Sequence, residues 1–369
     1  MWYYELDEEG IFHKKEVDSY KYTNILVKPL LIGVCGTDKE IYKRHREGIK
    51  YPLVIGHEVV GQVMDIKSSQ RNDLHQGDFV VIFPNYWCGT CFDCRVGHFN
   101  TCQRKISIGV TAPGALSEYI DVESKYLFKV PKELTIYEAV FTEPLSVVVR
   151  AIKKLDLNSS ENNNILIIGG GALGYFSTIL LKFLYNDRIH SIIIKEYDPV
   201  KVNTLKEIFN KEDNIYIINN INEYPYDLEY LTNLKVIDTV GNSSSINDVL
   251  RISDIAPSGI KVIIVGLGER NVTIDLNKIV RREIKIEGSI IYTPQDFLDT
   301  INVLRKIHSE NYEYFYMMPI AEIPLKSIND YFKQEIDDAT VIKVIINPYA
   351  ESFRKMRLKD FISSAHNDI

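Results

Sequence analysis

Cys35, His57 and Glu58 place a thiol, an imidazole and a carboxylate within one short span of this chain. The span runs Cys35-Gly36-Thr37-Asp38, then a polar loop, then Gly56-His57-Glu58-Val59-Val60-Gly61. A cysteine and a histidine spaced in this way are as compatible with packing as with ligation, so the remaining reactive residues decide the reading. Glu143 stands between Phe141 and the apolar run Leu145 to Val149, and burying a carboxylate there is costly unless it is paired or bound to metal. The alternative for Glu143 is a charge complementing the start of a helix whose first turn Pro144 suits. Glu118, in Gly114-Ala115-Leu116-Ser117-Glu118-Tyr119-Ile120, either faces a substrate or is a surface carboxylate on a strand edge.

A second thiol cluster follows. Cys88, Cys91 and Cys94 are each three positions apart, and Cys102 comes after seven intervening residues. Tetrahedral zinc takes four soft ligands at about 2.3 Å, and thiols so spaced on a tight turn reach one centre without strain. With no open fourth position, the site is structural rather than catalytic. An iron–sulfur cluster also takes four cysteines, and thiols without a metal are the third possibility. The chain has five cysteines, four of them within 15 residues, which suits thiolate ligation better than a disulfide framework.

A third kind of chemistry begins at Asn164. The apolar run Asn164 to Ile168 meets Gly169-Gly170-Gly171-Ala172-Leu173-Gly174 and then an amphipathic segment from Tyr175 to Tyr185. Gly169, Gly171 and Gly174 have G-x-G-x-x-G spacing between a strand and a helix, the pattern that lets a backbone approach a pyrophosphate. The phosphates then sit on the helix N-terminus, beside Ala172 and Leu173. A second apolar run, Ser191 to Ile194, ends at Glu196, which can accept from ribose hydroxyls and would repel the 2′-phosphate of NADP. This favours NAD, with Lys195 and Lys201 near enough to soften the discrimination.

The elements that position these residues change character along the chain. Tyr22 to Val27, Pro29 to Val34, Val59 to Ile66, Asp78 to Phe83 and Gly114 to Ile120 read as strands of a compact, mostly β unit. After residue 152, strands at Ile165, Ser191, Ile215, Lys235, Lys261 and Ile284 alternate with helical patterns at Val200–Phe209 and Ser245–Ile255. Six strands match the two mononucleotide-binding halves of a doubly wound parallel sheet. Val265-Gly266 follows one of them at the carboxyl end, where this architecture binds its ligand. Gln295 to Ser309 reads as a helix, Val341 to Ile346 as a strand returning to the first unit, and the basic stretch with Arg354, Lys355, Arg357 and Lys359 as a short amphipathic helix or frayed tail.

Whole-chain properties narrow the classes. The length of 369 residues suggests about two domains. A formal net charge of −7 with scattered basic residues argues against a nucleic-acid partner. No apolar run reaches the roughly 20 residues that span a bilayer, and the N-terminus lacks the pattern of a signal peptide, so a cytoplasmic location is expected.

In combination, these motifs resemble the zinc-containing medium-chain dehydrogenase family over residues 20 to 346. The resemblance implies an α/β protein with a GroES-like β-rich catalytic domain at 1–152, which includes a structural zinc lobe at 88–102. A Rossmann NAD(P)-binding domain follows at 153–290, then a return segment at 291–346 and a C-terminal tail at 347–369, with the cofactor in the cleft between the two domains. It implies two zinc ions per chain, a catalytic one on Cys35, His57 and Glu143 and a structural one on Cys88, Cys91, Cys94 and Cys102. Glu58 is then the neighbouring carboxylate that ligates directly or exchanges with water, and Thr37 the hydroxyl that passes the substrate proton onward. Gly169, Gly171, Ala172, Leu173, Gly174, Glu196, Lys201, Val265 and Gly266 would bind NAD or NADP. Cys35-Gly36-Thr37-Asp38-Lys39-Glu40-Ile41 and Thr142-Glu143-Pro144-Leu145-Ser146 are most similar to archaeal-type glucose 1-dehydrogenases and the polyol dehydrogenases. The small-molecule substrate is accordingly expected to be a sugar or polyol, with L-threonine or simple alcohols as alternatives, and the assembly a homodimer or homotetramer. A metal-free quinone reductase or a non-enzymatic protein are the remote readings.

Overall fold

A computed structural model describes residues 1–69, 71–157, 162–225, 227, 231–334 and 338–365. The chain forms two compact units. One comprises Met1–Glu143, Thr293–Asn311 and the chain from Tyr316 onward; the other comprises Pro144–Tyr292 and Tyr312–Phe315. The division therefore falls within the helix Thr142–Lys153, earlier than the boundary expected at 152.

The first unit is built on a largely antiparallel eight-stranded sheet. Its path runs Arg354–Arg357, Pro319–Pro324, Lys343–Asn347, Ile25–Val34, Glu58–Ile66, Phe79–Ile82 and Leu127–Lys129, and Ile120–Val122 also pairs with Ile25–Val34. Ile25–Val34 is one strand rather than the two expected, because Pro29 lies at a register shift in its pairing with Glu58–Ile66. A missing N–H is tolerated at such an irregularity. The strand's inward side chains Ile25, Val27 and Leu31 are fully buried.

Two expectations need correction here. Gly114 to Tyr119 is not a strand: its backbone runs across Val54, Ile55 and Gly56, with N–H bonds from Gly114 to Val54 O, Leu116 to Ile55 O and Ala115 to Gly56 O. The close approach of two glycine-bearing segments replaces regular pairing. The basic stretch near the end is also no tail. Arg354–Arg357 is a strand pairing antiparallel with Pro319–Pro324, and Leu358–Ala365 is a helix with Leu358 and Phe361 buried. The reason is Glu322, wholly buried, whose carboxylate takes two bonds from Arg354 (2.6 and 2.9 Å), one from Tyr137 (2.6 Å) and one from Asn347 (3.1 Å). A buried charge must be paired in this way.

The second unit is a six-stranded parallel sheet in the order Ile215–Ile218, Ile189–Lys195, Asn163–Ile168, Leu234–Asp238, Lys261–Ile264, Lys285–Gly288. This is the 3-2-1-4-5-6 order of the doubly wound dinucleotide-binding fold, with its switch point at Asn163–Ile168. Ile165, Leu166 and Ile167 are fully buried, as expected for a strand covered on both faces. The helices Ala172–Tyr185, Pro199–Ile208 and Ser243–Ser253 occupy the sequence windows that periodicity indicates.

Candidate active site and nucleotide site

Cys35 follows the strand Ile25–Val34 and caps the short helix Gly36–Tyr42; His57 directly precedes the neighbouring strand Glu58–Ile66, which Glu58 opens. The turn between them brings one donor atom from each of Cys35, His57 and Glu58 within 4.8 Å of one another. His57 and Glu58 are buried. Asp38 fixes the arrangement: its Oδ2 accepts the Cys35 N–H at 2.8 Å, and its Oδ1 lies 3.5 Å from His57 Nδ1. Burial alone would lower the His57 pKa, but the Asp38 carboxylate, aided by Cys35, holds it well above 6.5. Asp38 Oδ1 and His57 Nδ1 are buried facing each other, whereas Glu58 Oε2, a member of the converging trio, is buried without a hydrogen-bond partner, which is what a bound cation would satisfy. A thiolate, an imidazole and a carboxylate are zinc's ordinary donor types.

Glu143 is not brought into that trio. It is buried in the first turn of Thr142–Lys153, where helix N–H groups favour a carboxylate, and its charge acts on Lys343. Thr37 is half-buried on the first turn after Cys35. Glu118 lies elsewhere: its Oε2 accepts the Trp2 N–H at 3.1 Å and sits 3.8 Å from the N-terminal ammonium, so it ties down the strand Trp2–Leu6 rather than facing this centre.

The sequence reading missed Asp38 and Lys343. Lys343 Nζ donates to Glu58 Oε1 at 2.6 Å with both side chains buried. Burial depresses an amine's pKa, yet Glu58, Cys35 and Glu143 raise that of Lys343 above its ordinary value. The available signal was a charge inside the apolar run Val341 to Ile346.

In the cysteine lobe, Cys88, Cys91, Cys94 and Cys102 converge, with Sγ separations of 4.0 Å for Cys88–Cys94 and 3.8 Å for Cys91–Cys102. Four sulfurs at about 2.3 Å from one zinc would be about 3.8 Å apart, so the set fits. The Thr90 and Cys91 N–H groups pull the Cys88 thiol down to about 5, whereas burial pushes Cys94 up to about 12. A cation is needed to make all four thiolates at neutral pH.

In the second unit, Gly169 adopts φ +97° directly after Asn163–Ile168, and Gly171 caps the helix Ala172–Tyr185, whose first turn holds Ala172, Leu173 and Gly174. A side chain at Gly174 would run into the Gly169 carbonyl, which explains the third glycine of the pattern. Glu196, buried at the end of Ile189–Lys195, accepts the Gly170 N–H at 2.7 Å and the Asp198 N–H at 2.9 Å. Lys201 stands on the first turn of Pro199–Ile208, whereas Lys195 pairs with Asp248 at 3.0 Å. Val265 and Gly266 donate N–H bonds to the Asp238 carbonyl, at the carboxyl ends of their strands. This geometry fits a dinucleotide's diphosphate and ribose.

The profile of the alcohol dehydrogenase GroES-like domain family matches residues 21–132, the segment that carries Cys35, His57, Glu58 and the cysteine lobe. An uncharacterized zinc-type alcohol dehydrogenase-like protein of Haemophilus influenzae is 28% identical over 269 residues, covering 72% of this chain and 75% of the relative. In these stretches the chain is similar to the zinc-containing medium-chain dehydrogenase family. Within that family, the sorbitol dehydrogenase of Bacillus subtilis is 28% identical over 288 residues, 75% of this chain and 77% of its own. A crystal structure described as a short-chain alcohol dehydrogenase (rspB) of Escherichia coli CFT073, complexed with NADH, shares the fold at a TM-score of 0.79 and 23% identity, covering 94% of this chain and 99% of that one. The two-unit α/β architecture expected from the sequence is therefore that of these dehydrogenases. Among the described residues, no helix is long and apolar enough to cross a membrane.

Proposed function

We propose that the protein oxidises a hydroxyl group of a sugar or polyol, passing hydride to NAD, with one zinc at Cys35, His57 and Glu58 and a structural zinc in the cysteine lobe. The observation that carries this reading is the convergence of the three donor residues, with the Glu58 Oε2 atom buried and unpartnered. Zinc at that centre supplies a Lewis acid that makes an adjacent hydroxyl markedly more acidic, as it lowers the pKa of water to about 7 in suitable sites. The chain's own residues do the rest. Asp38 orients His57 and anchors the Cys35 backbone. Thr37, two residues beyond Cys35, takes the substrate proton. The glycine turn and the N-terminus of Ala172–Tyr185 hold the diphosphate, and Glu196 accepts the ribose hydroxyls while repelling a 2′-phosphate. The family's relatives include sorbitol, L-idonate and L-threonine dehydrogenases, so oxidation of an amino alcohol is the second reading. A homodimer or homotetramer in the cytoplasm completes the proposal.

The test is a panel of sugars, polyols and amino alcohols assayed with NAD and NADP side by side on zinc-replete protein, with metal content and mass in solution measured on the same sample. A sugar or polyol with NAD is the expected best pair; preference for an amino alcohol selects the second reading. Cys35→Ser is expected to abolish turnover and leave dinucleotide binding intact. Full activity in that variant would overturn the metal-centred reading.

A further inference from the structure

The carboxylate of Glu58 is held between two opposed demands. Oε1 is engaged by Lys343 at 2.6 Å in a fully buried pair, while Oε2 has no hydrogen-bond partner and belongs to the group of donors that converges with Cys35 and His57. The sheet explains how it fits. Gly33 pairs directly opposite Glu58, and Ile345 pairs with Gly33 from the other side, so Lys343, two residues before Ile345, shares the face of Glu58. A Cβ on Gly33 would stand 3.0 Å from both Glu58 Cβ and Cδ and would overlap Oε2. The absence of a side chain at Gly33 is therefore what lets the carboxylate lie across the sheet toward Lys343.

We infer that Lys343 is a positioning residue that competes with the metal for Glu58, keeping this carboxylate a weak, displaceable ligand so that a substrate hydroxyl can take its place. The inference rests on the proposal that Cys35 and His57 hold zinc. An ammonium on Oε1 draws charge from the carboxylate and adds a positive charge beside a cation site, and both effects weaken metal–Glu58 attraction in a poorly solvated interior. Partners of metal ligands usually strengthen the site when they are carboxylates or carbonyls; a cationic partner acts with the opposite sign. Lys343→Met removes the competitor, leaves Glu58 free to bind through both oxygens, and should yield a site that grips metal harder while admitting substrate less readily. Lys343→Gln reaches the same end more gently, since it keeps a neutral donor for Oε1 and removes only the charge.

The experiment uses full-length protein with Co²⁺ in place of zinc. It follows loss of the visible absorbance of the Cys35 centre on adding a chelator, with the four-cysteine lobe kept loaded with zinc. Lys343→Met should release cobalt about tenfold more slowly than wild type, with an altered cobalt spectrum and lower turnover, and Lys343→Arg should restore wild-type release. Equal or faster release from Lys343→Met would overturn the inference. If Lys343→Met does not accumulate as folded protein, Lys343→Gln decides: slower release supports the inference, and unchanged or faster release refutes it. Failure of wild-type protein to take up cobalt at this centre would instead refute the proposed zinc site itself, which separates the two claims.

Discussion

Gly109 offers a measurable link between backbone contact and the proposed metal centre. Its φ is +73°, and a Cβ built there would stand 2.7 Å from the carbonyl oxygen of Gly56 and 2.9 Å from both its carbonyl carbon and its nitrogen. Ordinary contact begins near 3.4 Å, so alanine must push two backbones apart by roughly half an ångström, and no rotamer can relieve it. Gly56 precedes His57 in the chain, so the displacement passes straight to a proposed ligand. Gly77 supplies the control, since it has φ +91° with nothing within 4 Å of its Cβ position. The left-handed backbone costs about 1–2 kcal/mol at either position, and overpacking adds about 1–3 kcal/mol at Gly109 alone. With about 2–4 °C per kcal/mol for a domain of this size, Gly77→Ala should lower Tm by roughly 2–8 °C and Gly109→Ala by a further 2–12 °C or so. Thermal melts on both variants, with chelator competition at the Cys35 centre, read the two effects separately. Only Gly109→Ala should release metal faster than wild type. Equal melting temperatures and equal metal retention in the two variants would refute the reasoning.

Four other outcomes follow from the same geometry. Cys102→Ala should remove one equivalent of zinc per chain and expose the 88–102 loop to protease, as judged by metal analysis and limited proteolysis. Glu58→Gln should weaken metal retention at the Cys35 centre more than Glu143→Gln does, because only Glu58 stands within the converging trio; equilibrium dialysis against a chelator ranks them. His57 has a folded pKa raised above 6.5, so in metal-free protein its contribution to stability is complete below about 6.5 and is lost as pH rises through the raised value. Zinc must expel that proton, so uptake at pH 7 should release protons to an indicator dye and weaken as pH falls, with less release in Asp38→Asn. Arg354→Met would strip Glu322 of its cationic partner, at a cost of about 3–5 kcal/mol for a broken buried pair, seen as a lower Tm and lost by no surface control.

The sequence disclosed the parts of the site whose chemistry depends on neighbours in the chain. The four cysteines and the glycine turn are local, and their spacing carries their geometry into the fold. Glu196 was legible because it ends a strand whose partner begins the turn. What stayed hidden depends on contacts between distant strands: Lys343 reaches Glu58 across 285 positions, and nothing in either segment alone names the other. Gly114 to Tyr119 alternates like a strand, yet the amides of Gly114 to Leu116 bond to Val54–Gly56 in irregular order, an approach that leaves no room for a Cβ at Gly114. The basic stretch at the end looked solvated because Glu322, which demands Arg354, lies 32 residues earlier. Glu143 was legible from its motif and Glu58 from its place beside His57; the converging trio holds Glu58, and both carboxylates act on Lys343.

The first unit is discontinuous in sequence, whereas nearly all of the second is one uninterrupted stretch from Pro144 to Tyr292. During synthesis the second can therefore close before the sheet that bears Cys35 and Glu58 has received the late strands Pro319–Pro324, Lys343–Asn347 and Arg354–Arg357. The cysteine lobe, whose ligands span 15 residues, can capture its ion on the ribosome. Lys343 joins Glu58 only when translation is nearly finished, so the growing chain carries that carboxylate without its cationic partner for some 285 residues of synthesis.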